Sequence, residues 1–596
     1  MSGIGHNTKT ISNTGDTKID GILSGGAWDD ATIFYSFPTN NSEYDTPYYL
    51  DTATNNFSGI STLQKTVAYF ALDENVGTPA SSGFSVEGFT NANFQYTTAT
   101  KAHLRFANSD EPGTAFAFYP GQNYDEAGDI WFGPSGNHGI AQLGNYQAHT
   151  LIHEVGHALG LSHGHEADSG VALPSQWDAI EFTVMSYRSY VGAPLTGYSY
   201  ETYGAPQSWM MLDIAALQKM YGADFTSNSG NTVYKWNPNS GDTLINGNVA
   251  IDAGGNRIFA TIWDGDGIDT YDLSSYTTNL NIDLAPGASS IFSSVQQAYL
   301  GGGNKYAENI YNALLFENDL RSLIENATGG SGNDTIAGNQ ANNFLIGNAG
   351  NDVLTGLDGN DTLRGGSGND SLFGGDGDDY LYVDSFDAVI SGGAGYDRLF
   401  AEAGSLGLTI NLGTSSIEFA RGSAFGDSLN GSSASEALKI WGNGGIDFIT
   451  GSAYADYING GAGNDNLTGN GGADILDGST GADSFFGGAG NDIFYVDADD
   501  TTINGGAGYD RIYVRGYSAG VDIYVGSSVG IEFANGNFQN DTFSAAGSTT
   551  SVKLLGQGGN DTLSGGDAND ELYGSIGDDY LVGNGGNDIL NGSAGS

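Results

Sequence analysis

The sequence predicts a multidomain chain, with a mixed α/β domain first and all-β parallel β-roll domains after it. Three observations carry this expectation. Residues 153–163 set three histidines on a helical spacing that ends at a glycine, and short alternating apolar runs precede them. From residue 329 onward glycine and aspartate recur with a period of nine, the mark of a solenoid. A chain of 596 residues is also too long for one core.

Composition narrows the partners. There are 70 acidic residues against 18 basic ones, a net charge of −52, so nucleic acid and anionic membrane surfaces are not expected as partners and cations are needed for compact folding. Cysteine is absent, which removes disulfides and thiolate metal sites. No run of about 20 apolar residues is present, so no membrane span is expected. The polar stretch Met1 to Asp20 lacks the apolar centre of a signal peptide.

Taken in order, residues 1–25 read as a mobile leader or pro-segment, rich in Gly, Thr, Asn and Asp. Residues 26–222 read as the α/β domain. Thr32 to Phe37 alternates like a strand, residues 61–75 resemble an amphipathic helix, and His103 to Phe106, Ala115 to Tyr119 and Asp129 to Phe132 read as further strands. A helix is expected at Met210 to Met220, stopped by Gly222. Residues 223–328 form a β-rich connector, followed by β-roll modules at 329–400, 401–513 and 514–596.

His153-Glu154-Val155-Gly156-His157-Ala158-Leu159-Gly160-Leu161-Ser162-His163 carries the chemistry. Residues four apart share a helix face, so His153 and His157 can aim at one point about 2 Å away. Gly160, free to take φ > 0, ends the helix and lets His163 swing back to that point. Three ligands and an open fourth position suit a catalytic zinc, which would lower the pKa of a water towards about 7 for Glu154 to deprotonate. Met185 reads as a soft packing element beneath the metal. Tyr187 is a candidate fifth ligand that moves to donate a hydrogen bond to an oxyanion. Asp213 is as readily a helix-surface acid as a buried acceptor, and His149, His165, His6, His103 and His138 read as solvated surface histidines.

The nonapeptide has the form G-G-x-G-x-D-x-U-x, with U large and apolar, as in Gly329-Gly330-Ser331-Gly332-Asn333-Asp334-Thr335-Ile336-Ala337. Its aspartates are expected to hold calcium: Asp334, Asp352, Asp361, Asp370, Asp379 and Asp397; then Asp447, Asp456, Asp465, Asp474, Asp483, Asp492 and Asp510; then Asp561, Asp570, Asp579 and Asp588. Asn343 fills one such position. One unit is vacant before Asp397 and another before Asp510. Apolar residues two places on, such as Leu354, Leu363, Leu372, Ile449 and Leu467, should point inward. All eleven prolines lie at or before Pro286, leaving the repeats free of a residue that cannot donate to a ladder. A larger duplication overlies the small one: Tyr382-Val383-Asp384 recurs as Tyr495-Val496-Asp497, and Ile417-Glu418-Phe419-Ala420 as Ile531-Glu532-Phe533-Ala534.

The extended zinc motif, Met185-Ser186-Tyr187, the helix after it and the Gly/Asp nonapeptides, in this order, resemble a serralysin, a secreted bacterial protease of the metzincin type with RTX repeats. The resemblance covers Trp28 to about Asp397. It implies that His153, His157 and His163 hold one catalytic Zn2+, that Glu154 is the general base and Tyr187 the switching ligand, and that several structural Ca2+ ions fill the rolls. It further implies peptide binding along an edge strand, for which Ala115, Phe116, Ala117 and Phe118 are the candidates, and export by a type I secretion system. The chain ends Asn591-Gly592-Ser593-Ala594-Gly595-Ser596, without the acidic residue and short apolar tail usual in that family. The expected function is that of a secreted, monomeric, calcium-dependent zinc endopeptidase acting on extracellular proteins. The alternatives are an RTX surface or adhesion protein with a residual or self-processing protease domain, and a processing enzyme with one target.

Overall fold

A computed structural model describes residues 5–593 except 45–47, 49–52, 55, 77–82, 123, 388, 501 and 517–518. The chain divides into two compact units, Met1–Asn348 and Ala349–Ser596.

In the first unit, strands β1 (Thr8–Thr10) and β2 (Gly26–Trp28) pair antiparallel around the short helix α1 (Thr17–Asp20). A mixed sheet follows, with β3 (Ile33–Ser36), β4 (Ser58–Gly59), β5 (Phe94–Tyr96), β6 (Leu104–Asn108), β7 (Ala115–Ala117) and β8 (Asp129–Phe132). Its order is β5-β3-β6-β8-β7; β7 runs antiparallel to β8 at one edge, and β4 pairs with β6. Helix α2 (Thr62–Leu72) starts where Ser61 accepts the Gln64 N–H and Gln64 returns the bond, closing a capping box. Helices α3 (Tyr146–Leu159) and α4 (Met211–Tyr221) complete the domain. Indole and phenol donors join these pieces: Trp28 Nε1 to the Ala158 carbonyl at 2.9 Å, Trp209 Nε1 to Ala71 at 3.0 Å and the Tyr221 hydroxyl to Leu159 at 2.8 Å.

The leader departs from expectation. Asp20 accepts the Thr14 and Gly15 N–H groups, and Ile22 and Leu23 are buried in the main core. Ser24 donates to the Gly160 carbonyl and Ser162 to that of Ile22, so residues 22–24 run beside the chain that leaves α3. Composition alone could not reveal this, because the ordering contacts come from the far side of the domain.

The connector is already solenoidal. Val233–Trp236, Thr270–Asp272, Asn326–Thr328 and Phe344–Ala349 form one parallel row, and Asn281–Asp283 pairs parallel with Thr335–Ala337. In the second unit each turn advances two nonapeptides. Val353–Asp358 pairs with Ser371–Asp376 and that strand with Val389–Ala394, while Leu363, Leu381 and Leu399 stack in the opposite sheet. The inward column is apolar throughout: Leu354, Leu363, Leu372 and Leu467 have no exposure and Ile449 only 1%.

One buried charge pair anchors the first sheet. Arg105 Nε and Nη2 each lie 2.7 Å from an Asp129 oxygen, and Tyr48 donates to the same carboxylate at 2.6 Å. Arg105→Ala is expected to lower unfolding stability by about 3–5 kcal/mol, because it strands Asp129 without its counter-charge; denaturant titration of the calcium-loaded protein checks this.

Candidate metal centres

Helix α3 begins at Asn145, whose side chain accepts the Ala148 N–H, and ends at Gly160 with φ +114°. A Cβ at Gly160 would stand 2.2 Å from the Gly26 carbonyl oxygen, and one at Gly156 would meet Met185 Sδ at 2.5 Å. Both glycines are therefore required, one for the turn and one for the Met185 side chain packed beneath the helix.

His153, His157 and His163 converge. Their Nε2 atoms lie 3.2 Å (153 to 163) and 2.9 Å (157 to 163) apart, close to the roughly 3.3 Å edge of a tetrahedron with metal–nitrogen bonds of about 2.0–2.1 Å. Each Nδ1–H has its own acceptor: the Val184 carbonyl at 2.8 Å for His153, the Leu161 carbonyl at 2.8 Å for His157 and Glu166 Oε2 at 3.0 Å for His163. Those bonds fix the tautomer, so three bare lone pairs face one another. Zinc fits this donor set. Burial holds all three imidazoles below their ordinary pKa, His157 at about 3, and keeps them neutral and ready to ligate.

Glu154 is 6% exposed, and its Oε2 is buried without a hydrogen-bond partner. Burial pushes its pKa up to about 8. The Tyr187 ring centroid lies 4.4 Å from that of His163 and 5.5 Å from that of His153. Burial, and then the charge of Glu154, raise its phenol to about 12, so it remains a donor at neutral pH. A cleft of about 290 Å3 opens here, walled by Thr114, Ala115, Tyr146, Thr150, Leu195, Gly197 and Tyr198. Strand β7, at the sheet edge, brings Ala115 to it, whereas Phe116 packs back towards Trp131 in a second small core. Phe118 packs edge-on against Phe116.

Several supports escaped the sequence reading. Asp213 is fully buried and accepts the Thr183 hydroxyl and the N–H groups of Val184 and Met210, so it holds the turn that carries Met185. Asp178 accepts the Ser186 hydroxyl at 2.6 Å and Arg188 Nε at 2.8 Å. His149 is not a surface residue: it has no exposure, and it lies between the Tyr200 hydroxyl at 3.0 Å and the Val184 carbonyl at 3.3 Å, the acceptor it shares with His153. His138 and His103 are buried as well, and His165 stacks on His163. His6, Asp30 and His103 form a second cluster with metal-like spacing. However, the Phe34 N–H donates to His103 Nδ1, which places the ring proton on Nε2, facing Asp30 at 2.8 Å. That cluster is a clamp on the leader, where Asn7 also donates to Asp30.

In the repeats the aspartates form a ladder. Asp370 Oδ1 accepts the Asp352 N–H, and Asp379, Asp397, Asp465, Asp474, Asp483, Asp492, Asp510 and Asp579 repeat the bond 18 residues apart. Asp447 and Asp561 make it over 20 residues, to Asp427 and Asp541. On these eleven the other oxygen, Oδ2, is buried and has no hydrogen-bond partner. A hard cation with oxygen ligands satisfies such atoms. Asp588 keeps the Oδ1 bond in the last described turn. Asp352 and Asp361 follow residues of positive φ (Asn348 and Leu357), as the eleven do. Asp427 and Asp541 were missed because their spacing breaks the nine-residue period. The vacant units are filled by Asp387 and Asp500, which cap the ladder with both oxygens bonded, and Glu418 and Glu532 take over beyond Asp397 and Asp510.

The connector holds a further acidic group at Asp264-Gly265-Asp266-Gly267-Ile268-Asp269, whose alternating Asp and Gly is the signal the sequence reading passed over. Asp264 accepts the Tyr234 hydroxyl at 2.7 Å, Asp269 donates its N–H to Glu325, and burial pushes both aspartates above the usual carboxylate range. Asp269 Oδ2 is buried without a hydrogen-bond partner.

A family model described as RTX calcium-binding nonapeptide repeat (4 copies) matches residues 328–363, 355–390, 382–405, 441–476, 468–503 and 555–590. Serralysin G of Dickeya chrysanthemi is 38% identical over 241 residues, 39% of this chain and 44% of that protein. Metallopeptidase AprA of Pseudomonas marginalis is 32% identical over 251 residues, 40% and 48% of the two chains. Serralysin of Proteus mirabilis is 32% identical over 326 residues, 52% and 60%. The chain spans about half the length of the curated relatives it matches. Over the matched stretches the chain is similar to serralysins, and its repeats match the RTX calcium-binding model.

Burial raises Asp397, Asp447, Asp474, Asp483 and Asp561 to about 7. A carboxyl whose folded pKa exceeds its unfolded value of about 4 favours the folded state below that value and loses the benefit as pH rises through the folded pKa. Calcium-free protein is therefore expected to melt at a higher temperature at pH 5 than at pH 8, with added calcium reversing the loss at pH 8; calorimetry at both pH values checks it.

Proposed function

We propose that the chain is a secreted, calcium-dependent zinc endopeptidase that hydrolyses peptide bonds of extracellular proteins. The observation that carries this reading is the meeting of three unprotonated Nε2 atoms beside an unpartnered, buried carboxyl group. In this reading residues 26–222 are the protease domain, 223–328 the connector, and 329–400, 401–513 and 514–596 the calcium-binding modules. Export follows the type I route, and the chain works as a monomer.

Zinc bound by His153, His157 and His163 supplies Lewis acidity, lowering the pKa of a water towards about 7 and polarising a carbonyl. The chain's own groups do the rest. A peptide adds as a further strand along the outer edge of β7, at Ala115 to Phe118, which sets its carbonyl against the cleft. Glu154 takes the proton of the attacking water and passes it to the leaving amine. Tyr187 donates from its phenol to the oxyanion that forms. Met185 and Asp213 hold the turn that positions Tyr187, and the carbonyl of Val184 on that turn orients His153.

The test is casein hydrolysis by the calcium-loaded full chain beside Glu154→Ala. The variant is expected to retain zinc, measured by metal analysis, and to lose activity by on the order of 10²–10⁴-fold. Equal, negligible hydrolysis by both proteins would move the function to the repeats and their adhesive reading.

A further inference from the structure

The repeat pattern treats its aspartates as equivalent, but they are of two kinds. We propose that Asp334, Asp427, Asp456, Asp541 and Asp570 are calcium-independent latches, and that a calcium ion is seated only where one aspartate stands directly over another. This rests on the calcium reading above and adds to it where the ions are and are not.

In each latch Oδ2 already accepts a backbone N–H from four residues earlier: Gly330, Ser423, Ser452, Asn537 and Gly566, at 2.7, 2.7, 2.6, 2.8 and 2.6 Å. Ser423 and Ser452 add hydroxyl bonds to the same carboxylates. A cation at these oxygens would have to break bonds to groups that then find no other acceptor. None of the five donors is among the described residues with positive φ. In the eleven aspartates with an unpartnered Oδ2, the residue four earlier always has positive φ, from +70° at Ser479 to +123° at Gly375, so its N–H does not reach the carboxylate. Non-glycine residues accept that conformation at Ser479, Gln557 and Ser575, which is strain that an ion's coordination offsets.

A second, independent regularity sorts them the same way. The Oδ1 of every latch accepts its N–H from an apolar residue one turn back: Leu280, Leu408, Leu438, Val521 and Val552. In all eleven others that donor is an aspartate. The motif does not predict the sorting. Gly329-Gly330-Ser331-Gly332-Asn333-Asp334 is complete and closed, whereas Gly556-Gln557-Gly558-Gly559-Asn560-Asp561 lacks the second glycine and is open. The latches at Asp427 and Asp456 recur at Asp541 and Asp570, equivalent places in the duplicated module, so each copy carries the same ion-free seam.

Crystals of the full chain grown in saturating calcium, with anomalous scattering to locate the ions, test this. Peaks are expected against Oδ2 of Asp474 and Asp483, and none within the calcium–oxygen distance of about 2.3–2.6 Å from Oδ2 of Asp456 or Asp570. A peak at either latch overturns the proposal. In solution, Asp474→Asn should bind at least one ion fewer than the parent by metal analysis, and an unchanged count overturns the pairing rule. A parent protein that binds no calcium at all overturns the calcium reading itself, along with the sorting.

Discussion

The three imidazoles at residues 153, 157 and 163 cannot hydrogen-bond to one another, because each has its N–H committed to an oxygen behind it. What remains in front is a set of lone pairs in a buried, low-dielectric site, which only a cation can bring together at low energy. The surrounding structure serves to keep those protons turned away. Val184 offers its carbonyl to His153 and its N–H to Asp213, so one residue links the ligand to the buried acid that fixes the turn. Leu161, just past the reversal at Gly160, offers its carbonyl to His157 and donates its own N–H to the Gly156 carbonyl.

The solenoid applies the constraint to oxygen. One carboxylate oxygen of each rung ties a turn to the one before it, and the other is left for an ion or closed by the chain itself. The inward side chains from Leu354 to Leu381 and from Leu429 to Phe494 are apolar and buried, so these stretches have a continuous core, yet the loops outside it gather charge that folding alone does not neutralise. Calcium held at those oxygens would couple ion binding to folding.

Local spacing made the zinc ligands, Gly160 and the inward leucines legible, because helix and strand periods translate sequence distance directly into direction. The supports were illegible for the opposite reason. His149 looks like any polar residue on a helix until Tyr200 and Val184, from distant loops, enclose it. Asp213 reads as an ordinary first-turn acid until the turn of Met185 covers it. Asp427 and Asp541 sit behind insertions that shift the count, so a strict nine-residue register skips them while the ladder does not. Ile22 and Leu23 carry no signal of their own; the segment they pair with, Gly160 to Ser162, lies more than a hundred residues further along the chain.

The pairing of residues 22–24 with Gly160 to Ser162 bears on how the chain tolerates trimming. Removal of residues ahead of Asp16 would leave that pairing whole, whereas a cut beyond Gly25 would strip two aliphatic side chains from the core and free the segment from which the third imidazole approaches its partners. Any maturation that preserves a working centre is thus confined, on packing grounds, to the stretch before α1.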